Sequence, residues 1–460
     1  MQIVGLYSTA LFVLIGAIAL GYLFVQLPAI RRSFLPASVA AGLLLLVLGP
    51  EVAGVFPGTE WAAITRDLYH VWEPLPGTLI SLVFAMLFLG RPLRSIKGMW
   101  RLAAPQATFG QLIAWGYYAV GGAVTLFVLQ PLFGEHALAA ALLEISFDGG
   151  HGTAAGMAPV FQEFNYHAGQ EMAVALATTS LFATLAVGFI LIQFGRRLGL
   201  IDSTRPPHEH VRGTTYHRRV LRQLAQAGVS LRQELNLLTI ARHVLLIALS
   251  VGAGLSLHGL LLIAEQYTWA HQGIKIFGYM PSFMFCMFGG MLMQAVWRHV
   301  LHQRISRPLV ELMSGMILAV LVATAIATMK LDFIATNGLT FIILVVSGVI
   351  WVLLCFVIAA RMIFPAAWFT HGLITIGQAM GTTATGLLFA QIVDPKQQTG
   401  AVESFSYKQL MFEPFMGGGI VTALAMPCIM AYGLPLLTAI SSVIAGCWLI
   451  FGVIAFGRRA

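Results

Sequence analysis

The most informative run of the chain is Glu144-Ile145-Ser146-Phe147-Asp148-Gly149-Gly150-His151-Gly152-Thr153-Ala154-Ala155-Gly156. Three glycines among residues 149–152 do not form a stable helix interior, because glycine loses more backbone freedom on ordering than any other residue. Yet the segments on either side, near 106–130 and 170–194, are long apolar runs. In lipid, an interrupted backbone is tolerated only where protein or water satisfies its freed amides and carbonyls. The run therefore predicts a broken, functional segment within a bilayer-embedded protein.

The composition agrees. Of 460 residues, 58% are hydrophobic and 10% are charged, with a mean hydropathy of +0.85. Soluble domains carry roughly 25% charged residues, so an ordinary aqueous enzyme is excluded, and the abundance of apolar residues excludes disorder. Continuous apolar runs argue against a transmembrane β-barrel, whose strands alternate. The four cysteines, Cys286, Cys355, Cys428 and Cys447, lie in apolar runs with no CxxC spacing. They predict buried thiols, with no disulfide and no metal centre. No P-loop, GxSxG or HExxH motif is present, so ATP-driven pumping and the matching hydrolase chemistries are not expected. His208, Glu209, His210 and His217 resemble a metal cluster only by composition.

Eleven candidate spans follow, near 5–29, 37–56, 75–90, 106–130, 170–194, 239–264, 277–296, 308–328, 338–360, 410–430 and 433–456. The first ten residues carry no Lys or Arg and so lack the basic start of a cleavable signal peptide. With the N-terminus outside and the C-terminus cytoplasmic, 23 of the 26 basic residues fall on one side, and only Arg66, Lys275 and Lys330 on the other. The net charge of +8 is thus read as the positive-inside bias, with no nucleic-acid partner implied. This layout requires the Gly-rich stretches near 137–160 and 366–392 to re-enter without crossing.

Those stretches also point to a repeat. Residues 149–157 read GGHGTAAGM and residues 379–387 read AMGTTATGL; placing Thr153 on Thr382 sets an offset of 229. The first and sixth spans differ by a similar amount. Each half then holds five spans, an odd number, so the second half is inverted. The predicted fold is an all-α integral membrane protein with an inverted-topology repeat of two five-span halves, each with a broken re-entrant hairpin, plus an extra C-terminal span. The divisions are 1–194, a basic cytoplasmic linker at 195–238, 239–431, and 432–460. This order of elements is that of many secondary transporters, with the site at the bilayer midplane.

A helix restarting after a break aims N–H groups and a positive dipole end at a ligand, which suits a carboxylate. Freed carbonyls and threonine hydroxyls suit a hard cation such as Na⁺. The candidate substrate-binding residues are Gly149, Gly150, His151, Gly152 and Thr153 in the first stretch and Gln378, Gly381, Thr382, Thr383 and Thr385 in the second. The candidate ion-binding residues are Asp148, Thr153 and Thr383, with no metal beyond the transported ion and no cofactor. Glu144 shares a helix face with Asp148. His151 either donates to a carboxylate or holds the turn. Gln111, Glu311 and Glu413 line a path or cap helices, and Thr178, Thr179 and Ser180 read as packing hydroxyls.

At Gly149-Gly150-His151-Gly152-Thr153 the sequence resembles the bacterial sodium/glutamate symporter family, whose first hairpin carries Gly-Gly-His-Gly-Thr. Gly377, Gly381, Thr383 and Thr385 stand at matching places of the partner hairpin. The resemblance implies five-span inverted repeats, Na⁺-coupled uptake of glutamate, and a homodimer in the inner membrane. Ala384 replaces a proline of the family pattern, Ala379 a glycine and Asp148 a small polar residue, and the eleventh span is additional. Three other readings remain at this stage: a proton- or sodium-coupled symporter of another small organic anion or dicarboxylate, an intramembrane enzyme using His151 and Asp148, and a channel.

Overall fold

The computed structural model describes residues 3–27, 35–52, 60–91, 96–201, 236–270, 277–331, 337–364, 366–394 and 398–457. Among these residues every regular element is helical. Seven helices are long and apolar enough to cross a membrane: Gly5–Phe24, Lys97–Phe133, His167–Arg197, Leu237–Thr268, Arg307–Ala327, Gly338–Ile363 and Leu434–Phe456. Large apolar side chains such as Phe12, Phe127, Leu237 and Ile454 stand exposed on them, a surface suited to hydrocarbon and not to water.

Each of the eleven apolar runs meets a helix, but four of those helices fall short of the seven. The run near 37–56 yields only Ala37–Leu48, and that near 75–90 only Leu75–Met86, 12 residues each. Such a helix is roughly 18 Å long at 1.5 Å per residue, against a hydrocarbon core of about 30 Å. Local punctuation sets these lengths. Gly49-Pro50 closes the first, and Pro74 and Pro76 open the second. Pro281 opens Ser282–His299, and Gly417-Gly418-Gly419 delays the start of Ile420–Tyr432. The histidine-rich loop 208–217 lies outside the described residues.

The chain divides into two compact units, each drawn from both halves of the sequence. One comprises Met1–Pro92, Ala155–Glu163 and Thr214–Asp332. Its packing centres on Ala10, Leu14, Ala41, Leu45, Trp72 and Ala323, and the Trp72 indole donates to the Ala10 carbonyl at 3.2 Å. A second cluster joins Met86, Leu89, Leu246, Trp297 and Val310. Arg307 Nη1 donates to the carbonyls of Leu87 and Leu89 at 3.2 and 2.8 Å. These are carbonyls at the end of Leu75–Met86, where a cation also meets the negative end of the helix dipole. Ser306 starts Arg307–Ala327 by accepting the Leu309 N–H.

Helices Leu237–Thr268 and Ser282–His299 in this unit touch backbone to backbone. A Cβ at Gly289 would collide with the Ser250 carbonyl, and one at Gly254 with the backbone of Cys286. Small residues allow this close approach between membrane helices. Gly289→Val is expected to force the helices apart and destabilise the protein by about 1–3 kcal/mol. Thermal unfolding in detergent measures this; an unchanged midpoint would show that the helix pair contributes no stability.

The other unit comprises Leu93–Ala154, Phe164–Gly213 and Phe333–Ala460. Helix Ile96–Val124 runs through a π turn at Thr125–Leu129 into Gln130–Phe133, and Gly338–Leu354 runs through a π turn at Cys355–Ala359 into Ala360–Ile363. The two π turns lie 230 residues apart, one more than the offset between Thr153 and Thr382. The core of this unit includes Tyr117, Phe109, Phe147, Phe356 and Phe364, all fully buried.

Candidate functional site

In this second unit the stretch beginning at Ala137 is broken into pieces. Ala137–Ala141 is a 3₁₀ turn, opened by His136 Nδ1 accepting the Leu138 N–H. Glu144–Asp148 forms a π turn, and Gly150–Gly156 restarts as an α-helix. Gly150 adopts φ +67° at the break, a left-handed conformation that costs other residues about 1–2 kcal/mol. The second Gly-rich stretch is broken as well. Helix Trp368–Ala379 stops, and Thr383–Val393 begins after Met380-Gly381-Thr382. Thr382 caps the new helix, its Oγ1 accepting the Thr385 N–H at 3.2 Å and lying 3.0 Å from Thr385 Oγ1. The two interruptions meet: a Cβ built on Gly150 would stand 3.8 Å from the Gly381 carbonyl oxygen.

Five charged or amide side chains form a relay at this meeting point. Asp148 Oδ1 accepts from Gln378 Nε2 at 2.8 Å, and Gln378 Oε1 accepts from Lys408 Nζ at 2.6 Å. Lys408 Nζ also donates to Gln409 Oε1 at 2.7 Å and lies 3.7 Å from the centre of the Phe412 ring. Gln409 Nε2 donates to Thr383 Oγ1 at 2.9 Å and to Glu413 Oε1 at 3.2 Å. Lysine donates only and an ionised carboxylate accepts only. The Gln378 carboxamide is therefore held in one orientation, nitrogen toward Asp148 and oxygen toward Lys408.

The two acidic residues of the first stretch have different surroundings. Glu144 has 0% exposure, and both its oxygens are engaged. Oε1 accepts from the Gly417 N–H at 2.7 Å and the Thr422 hydroxyl at 2.8 Å, and Oε2 accepts from the Tyr118 hydroxyl at 2.8 Å. Asp148 Oδ2 is buried and has no hydrogen-bond partner among the described residues. It lies 3.6 Å from where a Cβ on Gly417 would stand, and Gly417 itself adopts φ +67°.

The remaining sequence candidates occupy distinct places. His151 Nε2 lies 3.0 Å from Thr178 Oγ1, whose own hydrogen goes to the Val174 carbonyl. The imidazole N–H therefore donates to Thr178 and ties the break to helix His167–Arg197. Thr153 Oγ1 donates to the Gly417 carbonyl at 3.0 Å, and Gly149 lies so close to Thr153 that a Cβ there would press on its hydroxyl. Gly152 is buried beside them. Ser180 bonds back to its own helix. Glu311 pairs with Arg307 at 2.9 Å in the other unit, and Gln111 lines an apolar cavity of about 390 Å³ with Trp100, Trp115, Phe412 and Trp448.

The model of the sodium/glutamate symporter family matches residues 4–396, a span that includes both interruptions. The chain belongs to this family. No curated protein matches it. The symporter is thus a multi-pass membrane transporter and not an enzyme. Its match ends before Lys408, Gln409, Gly417 and Thr422.

Those four residues carry no motif that singles them out in the sequence. The charge count places Lys408 among the cations of the cytoplasmic side; in the symporter it is fully buried, on helix Ala401–Phe412. The polar run 401–409 reads as a connector by composition. Its period says otherwise. Ala401, Ser404, Phe405, Lys408, Gln409 and Phe412 are the buried residues, spaced as one face of a helix. That face, with a lysine and a glutamine on it, was the available signal.

Proposed function

We propose that the protein is a secondary active transporter that takes up glutamate with Na⁺ across a bacterial inner membrane. The observation that carries this reading is the meeting of two interrupted helical stretches at Gly150 and Gly381, in a chain of the sodium/glutamate symporter family. The paired π turns support an inverted repeat of five-span halves with an extra C-terminal span. The two stretches are then re-entrant hairpins that hold substrate near the bilayer midplane. The charge bias orients the N-terminus outside and the C-terminus in the cytoplasm, and the functional unit is a homodimer.

In this reading Gly149, Gly150, His151, Gly152 and Thr153 face Gln378, Gly381, Thr382, Thr383 and Thr385 across the substrate. The start of Thr383–Val393, an 11-residue helix, supplies N–H groups and dipole to a substrate carboxylate. Asp148, Thr153 and Thr383 offer oxygens to the ion. Gly150 and Gly381 let the main chain come close to the ligand. Transport follows when one bundle of helices moves against the other and the sodium gradient supplies the work.

Uptake of labelled glutamate by proteoliposomes tests this directly. An inward Na⁺ gradient is expected to raise initial uptake at least about tenfold over a K⁺ control, the effect of roughly 1.4 kcal/mol of coupling. Uptake that ignores Na⁺ but follows a pH gradient would replace sodium with proton coupling. Competition by dicarboxylates stronger than that by glutamate would replace the amino acid with another organic anion.

A further inference from the structure

We propose that Asp148, set by the Gln378–Lys408 relay, receives the ammonium group of the substrate, so that the site selects an amino acid over the dicarboxylate of the same length. The inference rests on the reading of an acidic amino acid as substrate and assigns Asp148 to the substrate in place of the ion.

The argument starts from the two carboxylates. Glu144 has three donors on its two oxygens, so neither oxygen is left without a partner. Asp148 has one oxygen on Gln378 and one, Oδ2, buried with no partner among the described residues. A buried carboxylate oxygen without a donor is costly, and at membrane depth such a group marks a functional site. Oδ2 lies beside Gly417 and two residues from Gly150, which meets the Gly381 carbonyl. It therefore sits where the two interrupted stretches come together.

Lys408 explains why this oxygen is presented unpaired. Its ammonium balances the charge of Asp148 without touching it, because the Gln378 carboxamide lies between them. The Lys408 N–H groups are directed to Gln378 and Gln409, and the Phe412 face covers the ammonium at 3.7 Å. The positive member of the pair is thus screened behind a glutamine while the negative member keeps one oxygen forward. An acceptor held by one fixed donor and balanced by a remote cation matches a ligand that brings its own positive N–H group. A sodium ion needs several oxygens together. Thr153 Oγ1 donates to the Gly417 carbonyl and Thr383 Oγ1 accepts from Gln409; each keeps a lone pair for an ion, so the Na⁺ response of the Asp148 variant decides between the two ligands.

The test compares L-glutamate with glutarate, which lacks only the amino group, as competitors of labelled glutamate on the full-length protein in proteoliposomes. Wild type is expected to favour glutamate roughly 10- to 100-fold, the range for a hydrogen bond to a charged group. Asp148→Asn is expected to bring the two within about threefold while the Na⁺ dependence of residual uptake stays as in wild type. Equal competition by the two compounds in wild type overturns the inference and leaves the transport reading standing, and this arm needs no variant to fold. Asp148→Asn that keeps the preference but loses its response to Na⁺ also overturns it, by making Asp148 an ion ligand. Failure of both compounds to compete removes glutamate as the substrate and the inference with it.

Discussion

Lys408→Met is expected to destabilise the symporter by roughly 3–5 kcal/mol, the range for removing one member of a buried charge pair. The side chain has 0% exposure and its ammonium is held by Gln378, Gln409 and the Phe412 ring. Methionine keeps the volume and fills the space against Gly110, where the lysine stem packs so closely that no Cβ would fit. Packing is therefore nearly conserved and the loss is electrostatic. Asp148 is left as an unbalanced buried charge, and Gln378 is free to turn its carboxamide. The double variant Asp148→Asn with Lys408→Met removes both charges, so it is expected to recover most of that stability. It is not expected to recover glutamate uptake. Unfolding midpoints of the four proteins in detergent, read as a double-mutant cycle, measure the coupling. Additive losses would mean that the relay through Gln378 carries no energy.

Glu144→Ala is expected to be comparably damaging for a different reason. Three buried donors, the Gly417 N–H and the hydroxyls of Thr422 and Tyr118, converge on this carboxylate. Each donor left without a partner costs about 1–3 kcal/mol, for a total of roughly 3–9 kcal/mol before water enters. The hydroxyls can rotate to other acceptors, but the Gly417 N–H cannot, because the turn at Gly417-Gly418 is set by two positive φ angles. Glu144→Gln separates holding this turn from carrying a proton. A glutamine oxygen can replace Oε1 toward Gly417 and Thr422, and its NH₂ can donate to Tyr118, which then accepts. Glu144→Gln is accordingly expected to fold with a loss of about 1–2 kcal/mol and to keep Na⁺-driven uptake. A stable Glu144→Gln protein that binds glutamate but no longer accumulates it would make Glu144 a proton carrier.

The interruptions were legible in the residues because a cluster of glycines in an apolar run cannot carry a helix straight through it. The first stretch breaks at Gly149-Gly150, while Gly152 is carried inside the short helix that follows, and Gly381 with a capping Thr382 breaks the second. Helix lengths were less legible. Hydropathy reports which segments are apolar, whereas prolines, glycines and caps decide where backbone hydrogen bonding stops, as at Gly49-Pro50 and Gly417–Gly419. Helix Ala401–Phe412 was not legible from hydropathy at all. Its buried face carries Ser404, Lys408 and Gln409, and a rule that reads polar residues as loop assigns such a helix to the surface.

The amino-acid sequence alone determined that this chain belongs in a bilayer, that two of its helical stretches are broken, and that those breaks recur about half a chain apart. Each of these is a property of residue type and spacing, which local sterics and transfer free energy convert directly into structure. Only the tertiary structure decided that Asp148 keeps an oxygen without a hydrogen-bond partner among the described residues while Glu144 does not, and that a lysine remote in sequence balances it across a glutamine. Hydrogen-bond capacity is distributed among whichever groups the fold brings within about 3 Å. Glu144 and Asp148, four residues apart and alike in chemistry, are given different surroundings by Gly417, Thr422 and Tyr118 on one side and by Gln378 and Lys408 on the other.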